Sequence, residues 1–276
     1  MVDMGTLIIL LVTVLFSALL VKILIRYSSA LHLVDIPNSR SMHKVSKSRA
    51  GGLAIVLAFG AGLLLTVESI NPFVVLAFFV VFLLGLYDDV RPSSSKVKFF
   101  WLAVAASVLF FGDFGVYTLG RFWGNDIHLA APLAFALMLI AVVGFVNAMN
   151  LIDGLDGLAA GVGAVILGAF VYIGFRFQDP FLFYTAAILV AALGGFLVFN
   201  WYPSRVFMGD TGSLSLGFVI VVLSIHAIHE GYITPVSVLL LTAVPILDTL
   251  IVMARRMMEG KSPFRADKTH IHHILL

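Results

Sequence analysis

Apolar positions in this chain fall in long blocks rather than in the short periods of a soluble helix or strand. Nine blocks stand out: Thr6–Ile25, Gly52–Val67, Phe73–Tyr87, Phe99–Gly112, Ala130–Val146, Leu158–Phe175, Phe181–Phe199, Leu214–Ile228 and Ile233–Met253. A bilayer core takes about 20 apolar residues per helix, and fewer where flanking side chains snorkel or the core is thin. The pattern predicts an all-α, polytopic transmembrane bundle of about nine helices. Phe99–Gly112 is the shortest block and also fits a partly interfacial helix. The first block is too long for the core of a signal peptide. It lacks a basic leader and a small-residue cleavage site, so it reads as a retained helix. No soluble linker, long low-complexity tract or internal repeat divides the chain. Residues 1–276 read as one domain, with polar loops at 27–51, 88–98, 147–157, 200–213 and 254–276.

Composition supports this frame. The chain is 61% hydrophobic and 12% charged, against roughly 25% charged in soluble domains. A net charge of +2 is too small to suggest nucleic acid, and without cysteine there is no disulfide or thiolate metal site. Numbering the loops alternately on two sides separates the charges. Fifteen of the 17 Lys and Arg residues fall on one side, leaving Arg121 and Arg176 on the other. By the positive-inside rule the N-terminus lies outside and the C-terminus in the cytoplasm.

The basic side also carries the chemistry. Asn147, Asn150, Asp153 and Asp156 recur every three residues in a short break between two apolar blocks. If the preceding helix continued through them, they would line one slowly rotating face. Gly154 and Gly157 let the backbone leave helical geometry. Carboxylates beside hydrocarbon are costly unless paired, solvated or metal-bound, so this stretch reads as functional rather than as a polar turn.

Asp88 and Asp89 end another apolar block, where the negative pole of a helix disfavours their charge. A divalent cation or a basic partner would compensate. Lys96 and Lys98 follow closely and suit phosphate binding, though ordinary solvated lysines also fit this side. In Met208-Gly-Asp-Thr-Gly-Ser213, one aspartate sits in a glycine-flanked turn before a helix. Free backbone N–H groups there favour anions. Asp210 would hold Mg²⁺ against a diphosphate, while Asp210 or Thr211 could equally act as a simple N-cap. His270, His272 and His273 cluster near Lys268 without the ligands of a tetrahedral zinc site. With Lys44, Arg49 and Arg265 on the same face, they suit a diphosphate or form a solvated basic tail. His32, His128, His226 and His229 have no assigned function, and Asp248 reads as structural.

Together these motifs resemble the polyprenyl-phosphate N-acetylhexosamine-1-phosphate transferases. The resemblance spans residues 35–273. It rests on Asp88-Asp89 with its downstream lysines, Asn147-x-x-Asn150-x-x-Asp153-Gly-x-Asp156-Gly, Phe207-Met-Gly-Asp210 and His270-x-His272-His273. It implies transfer of an N-acetylhexosamine 1-phosphate from a UDP-sugar to undecaprenyl phosphate, with release of UMP. That reaction starts a surface polysaccharide of the O-antigen, common antigen or teichoic acid type. It further implies a multi-pass protein of the bacterial inner membrane, surrounded by lipid, with a cytoplasmic active site using Mg²⁺ or Mn²⁺.

Residue by residue, Asp210 resembles the metal ligand. Asp153, Gly154, Leu155 and Asp156 resemble part of a uridine pocket, with Asn200 and Phe207 as further walls; Asp156 is also counted among the catalytic candidates. Asp88 and Asp89 resemble the acceptor-side carboxylates, and the histidines the group that handles the donor. Asn147, Asn150, Lys44, Arg49, Lys96, Lys98 and Arg265 complete the candidate substrate-binding set. The resemblance allows a homodimer. Members of the family usually continue into one or two more helices, so a chain stopping at Leu276 is expected to be shortened. Ser48 stands where proline is commoner.

Three other classes are weighed. CDP-alcohol phosphotransferases require an arginine soon after Asp-Gly and further aspartates on the next helix. Val162–Phe175 has no acid. An ion-coupled transporter is the alternative from a different class, but its polar groups would lie at mid-membrane between broken helices. A metalloprotease is disfavoured because no His-Glu-x-x-His occurs.

Overall fold

A computed structural model describes residues 3–35, 46–122, 125–258 and 260. Among the described residues, ten helices carry the fold: α1 (Met4–Tyr27), α2 (Gly51–Leu64), α3 (Pro72–Val90), α4 (Ser95–Phe111), α5 (Ala131–Leu151), α6 (Leu158–Phe177), α7 (Pro180–Asn200), α8 (Gly209–His229), α9 (Pro235–Leu241) and α10 (Ala243–Met258). Two small antiparallel pairs join them: β1 (Val34–Asp35) with β2 (Lys47–Ser48), and β3 (Thr118–Phe122) with β4 (Asn125–His128).

Six of the described helices are long and apolar enough to cross a membrane, or seven if α9 and α10 form one bent span. The nine-block expectation is therefore met only in part. Helix α2 has 14 residues and α4 has 17, which is about 21 and 26 Å of helix. The ninth block is broken at Thr242 into two helices bent by 76°. Pro245 explains the break, because it cannot donate to the carbonyl one turn back and its ring crowds that turn. The β3–β4 hairpin, between α4 and α5, was not anticipated.

Helix starts are locally encoded. Asn71, Asp179 and Thr234 accept bonds from the first-turn N–H groups of α3, α7 and α9, each followed by a proline. Proline suits that position because its missing N–H would have no partner there. Helix α8 is the axis of the bundle and packs on α2, α3, α5, α6 and α7, while α1 lies outside on α7 and α2. Small residues permit these approaches, as expected where helices associate by close packing. A Cβ on Gly85 of α3 would lie 2.6 Å from the Thr211 Cα of α8. At the α1–α7 contact, Ser17 Oγ donates to the Ala192 carbonyl at 2.7 Å.

The antiparallel run brings the starts of α2, α4, α6 and α8 to the same end as the finishes of α3, α5 and α7. The β1–β2 pair joins them there. Ser48 bridges Val206, Phe207 N donates to Ser48 O at 2.8 Å, and Gly52 N donates to Met208 O at 2.8 Å.

Candidate active site

Helix α3 ends on two adjacent carboxylates with different surroundings. Asp89 is buried and turned toward α8. Its Oδ1 accepts from Asp210 N at 2.8 Å, and its Oδ2 accepts from Thr211 N at 2.9 Å and Thr211 Oγ1 at 2.5 Å. It therefore caps α8 from another helix, where an anion is favoured. Gly209 permits the approach: its φ is +68°, and a Cβ there would fall 2.6 Å from Asp89 Oδ1. The turn before α8 was expected to offer free N–H groups to a diphosphate. Two of those groups, on Asp210 and Thr211, are instead taken by Asp89.

Asp88 is buried too, but is turned toward the start of α4. Its Oδ1 accepts from Ser93 N at 2.7 Å and Ser93 Oγ at 2.5 Å, and its Oδ2 lies 2.9 Å from Lys98 Nζ. Lys98 also donates to Asp210 Oδ2, so one ammonium bridges two carboxylates from α3 and α8. Asn150, in the last turn of α5, donates Nδ2 to Asp210 Oδ1 at 3.0 Å and to Ser213 Oγ at 2.8 Å. Asn147 lies one turn earlier on α5, half-buried, and Lys96 is exposed.

The helical expectation for the Asn-Asp repeat holds for its first half. Helix α5 carries Asn147 and Asn150, while Asp153 and Asp156 lie in the turns before α6. Burial pushes the Asp153 carboxyl well above the ordinary range, and the negative charges of Asp210 and Asp89 add to that effect. Beside it, Gly154 is exposed and Leu155 half-buried.

Asp156 accepts from Ser204 N at 2.9 Å and Ser204 Oγ at 2.7 Å. Lys47 Nζ donates to the same hydroxyl at 2.8 Å, lies 3.9 Å from Asp156 and sits 4.7 Å above the Phe207 ring centre. Buried Asn200 uses both ends of its amide, accepting from Gly157 N at 2.9 Å and donating to Val206 O at 2.8 Å. Arg49 pairs with Asp35 at 2.8 Å. Asp156, Asn200 and Arg49 thus hold the loops around Phe207 together. Lys44, Arg265, His270, His272 and His273 lie outside the described residues.

Ser93, Lys47, Ser204 and Ser213 were not anticipated, and Thr211, read only as a possible N-cap, instead donates to Asp89. A signal existed only for Lys47, which lies two positions from Arg49 in an extended segment and so on the same side. The hydroxyls carry no spacing of their own.

Among the described residues, no three His, Asp or Glu side chains gather into a metal cage. Two carboxylates, Asp88 and Asp210, nevertheless converge on a single cation, the Lys98 ammonium. Mg²⁺ commonly takes one or two protein carboxylates and completes its shell with phosphate and water. This donor set fits that mode.

The apolar helices and a site of carboxylates, amides and lysine at one end of the bundle define a multi-pass membrane protein with the parts of a phosphate-handling enzyme. The chain belongs to glycosyl transferase family 4, whose profile matches residues 71–228. It is 35% identical over 273 residues to the probable undecaprenyl-phosphate N-acetylglucosaminyl 1-phosphate transferase of Bacillus subtilis (strain 168), covering 96% of this chain and 75% of that protein. It is 29% identical over 273 residues to the undecaprenyl-phosphate alpha-N-acetylglucosaminyl 1-phosphate transferase of Yersinia pestis, covering 95% and 74%. The decaprenyl-phosphate N-acetylglucosaminephosphotransferase of Mycolicibacterium smegmatis (strain ATCC 700084 / mc(2)155) is 31% identical over 287 residues, covering 88% and 68%. Family membership favours a transferase, and the transporter alternative finds no support.

Proposed function

We propose that the protein transfers N-acetylglucosamine 1-phosphate from UDP-N-acetylglucosamine to undecaprenyl phosphate at the cytoplasmic face of a bacterial inner membrane. The observation that carries this reading is the convergence of Asp88, Lys98, Asn150 and Asp210 on one point beside apolar helices. The names of the relatives supply the substrates. The product would start a surface polysaccharide.

A phosphate oxygen of the acceptor attacks the sugar-bearing phosphorus of the donor. The bond from that phosphorus to the bridging oxygen breaks, and its electron pair leaves on UMP. Little covalent chemistry is asked of the protein, so positioning and charge neutralisation dominate. Mg²⁺ would supply charge neutralisation at the diphosphate, with Asp210 and Asp88 as its protein ligands. Asn150 orients Asp210 by donating to Oδ1. Asp88 is the carboxylate on the acceptor side. Asp89 and Asp156 act through the segments they hold: the start of α8 and the loop carrying Ser204. Asp153, Gly154, Leu155, Phe207 and Lys47 frame the nucleotide, Lys96 and Lys44 add positive charge, and Arg265, His270, His272 and His273 are assigned to the donor side.

The test is to incubate the purified protein with undecaprenyl phosphate, Mg²⁺ and a panel of UDP-sugars, and to measure UMP. Acceptor-dependent release with UDP-N-acetylglucosamine is expected, and Asp210→Asn should cripple this Mg²⁺-dependent release. Release that ignores the acceptor would overturn the reading. Sidedness is tested separately: a cysteine at Ser46 should resist an impermeant thiol reagent outside intact cells, whereas one at Asn125 should react.

A further inference from the structure

The Lys98 bridge has a consequence for the order in which ligands enter. Two carboxylates face one ammonium. The remaining oxygens are already engaged, Asp88 Oδ1 by Ser93 and Asp210 Oδ1 by Asn150. The two oxygens that point toward each other, Asp88 Oδ2 and Asp210 Oδ2, are the ones held by Lys98. A divalent cation needs those same oxygens. Its two charges would balance both carboxylates, leaving the ammonium in a largely covered site without an anion. Expelling an unpaired ammonium there is costly, and a diphosphate is the anion that can receive it.

We propose that Lys98 is an exchangeable internal counter-ion: a divalent cation enters by displacing its ammonium from Asp88 and Asp210, and a nucleotide diphosphate then binds that ammonium. The identity of the cation and the diphosphate rests on the proposed function, but the exchange rests on the bridge itself. Cation and diphosphate are therefore thermodynamically coupled through Lys98, each tightening the other by the same factor. The sequence motif alone would place Lys98 as a static phosphate ligand.

The experiment uses the full chain in detergent, with Mn²⁺, UDP and uridine as probes. Bound Mn²⁺ is measured by paramagnetic resonance, and the reactivity of individual lysines by amine acylation and mass spectrometry. In the unaltered protein, acylation of Lys98 should be slow without metal, rise with Mn²⁺ alone, and fall again when UDP is added. Uridine, which lacks phosphate, should not restore protection. Lys98→Met should bind Mn²⁺ alone about tenfold more tightly than the unaltered protein, within the usual range of coupling between sites. Lys22→Met removes the same charge from an exposed position on α1 and should change that affinity much less.

Lys98 acylation that ignores Mn²⁺ would overturn the exchange without any variant needing to fold. So would a Lys98→Met protein that binds Mn²⁺ no more tightly than Lys22→Met. Neither readout uses turnover. A positive result without UMP release would remove the transferase reading and leave the exchange standing, and the reverse would do the opposite.

Discussion

Asp89 and Thr211, 122 residues apart, meet through two hydrogen bonds to one carboxylate oxygen, at 2.9 Å from the backbone and 2.5 Å from the hydroxyl. This contact joins the end of one membrane helix to the start of another. Replacing Asp89 with Asn removes the charge and puts a donor where only an acceptor fits. The expected loss is about 1–3 kcal/mol of stability, read as a lower unfolding temperature in detergent, together with a fall in turnover. Thr211→Val keeps the N–H bond and should cost about 1 kcal/mol. Asp88→Asn, by contrast, should impair acceptor-dependent turnover and cost less stability, because its amide oxygen can still accept from Ser93 and Lys98 keeps Asp210. Equal melting losses for Asp88→Asn and Asp89→Asn would contradict this division.

The Gly85 contact gives a second prediction. A Cβ there meets the backbone of Thr211, which cannot rotate away. Gly85→Ala should cost about 1–3 kcal/mol by overpacking and reduce turnover by displacing Asp210. Gly144→Ala is the control, since a Cβ at that position meets nothing within 4 Å. Thermal unfolding and UMP release of the two variants, measured side by side, decide the matter.

Asn200 is expected to act through position alone. Asn200→Asp keeps the acceptor for Gly157 N but sets a carboxylate against the Val206 carbonyl. We expect a rise in the KM for the UDP-sugar larger than any fall in kcat, because the loop it holds carries Phe207. An unchanged KM with a collapsed kcat would place Asn200 at the reacting groups.

The opposite end of the bundle has its own polar cluster. Asp179 Oδ2 lies 2.7 Å from His226 Nε2 and accepts from Tyr232 Oη at 3.2 Å, while Asp179 Oδ1 caps α7 through Leu182 N at 2.8 Å. Burial opposes the charge on Asp179, but these donors outweigh it and hold the carboxyl below the ordinary range. The folded state therefore binds this proton less readily than the unfolded chain does. The stabilisation is present above the usual aspartate value of about 3.9 and is lost as pH falls through the depressed value. His226→Ala should lower the melting temperature and leave UMP release nearly intact, whereas His272→Ala and His273→Ala should do the reverse. Melting curves taken between neutral and acidic pH should show Asp179→Asn losing part of the acid sensitivity.

Local rules made the helices legible, and distance hid the rest. Apolar runs alone place the starts of α3, α7 and α9 within a few residues. Pro245 stood in plain view, but its block was apolar throughout, so the break at Thr242 passed unnoticed. The three-residue spacing from Asn147 to Asp156 marked the site, and Asp88, Asp89 and Asp210 stood out because carboxylates are rare beside hydrocarbon. What each carboxylate touches was not legible. Adjacent in sequence, Asp88 and Asp89 look interchangeable; on a helix, successive side chains point about 100° apart, and one meets Ser93 and Lys98 at the start of α4 while the other meets α8.

The burial of α8 bears on how the protein is made. The bridge between Asp88 and Asp210 needs both α3 and the start of α8, and the loops around Phe207 need β2 as well. Everything synthesised before α8 enters the bilayer lacks the helix around which its neighbours pack. Until then, Asp88 has only Ser93 and Lys98 as partners, and Asp89 waits without the N–H groups of Asp210 and Thr211 that will hold it. A ribosome that stalls between α7 and α8 therefore leaves behind a hollow bundle in which Asp89 lacks the donors of Asp210 and Thr211. Such a chain should be a ready target for membrane quality control rather than a partly active enzyme.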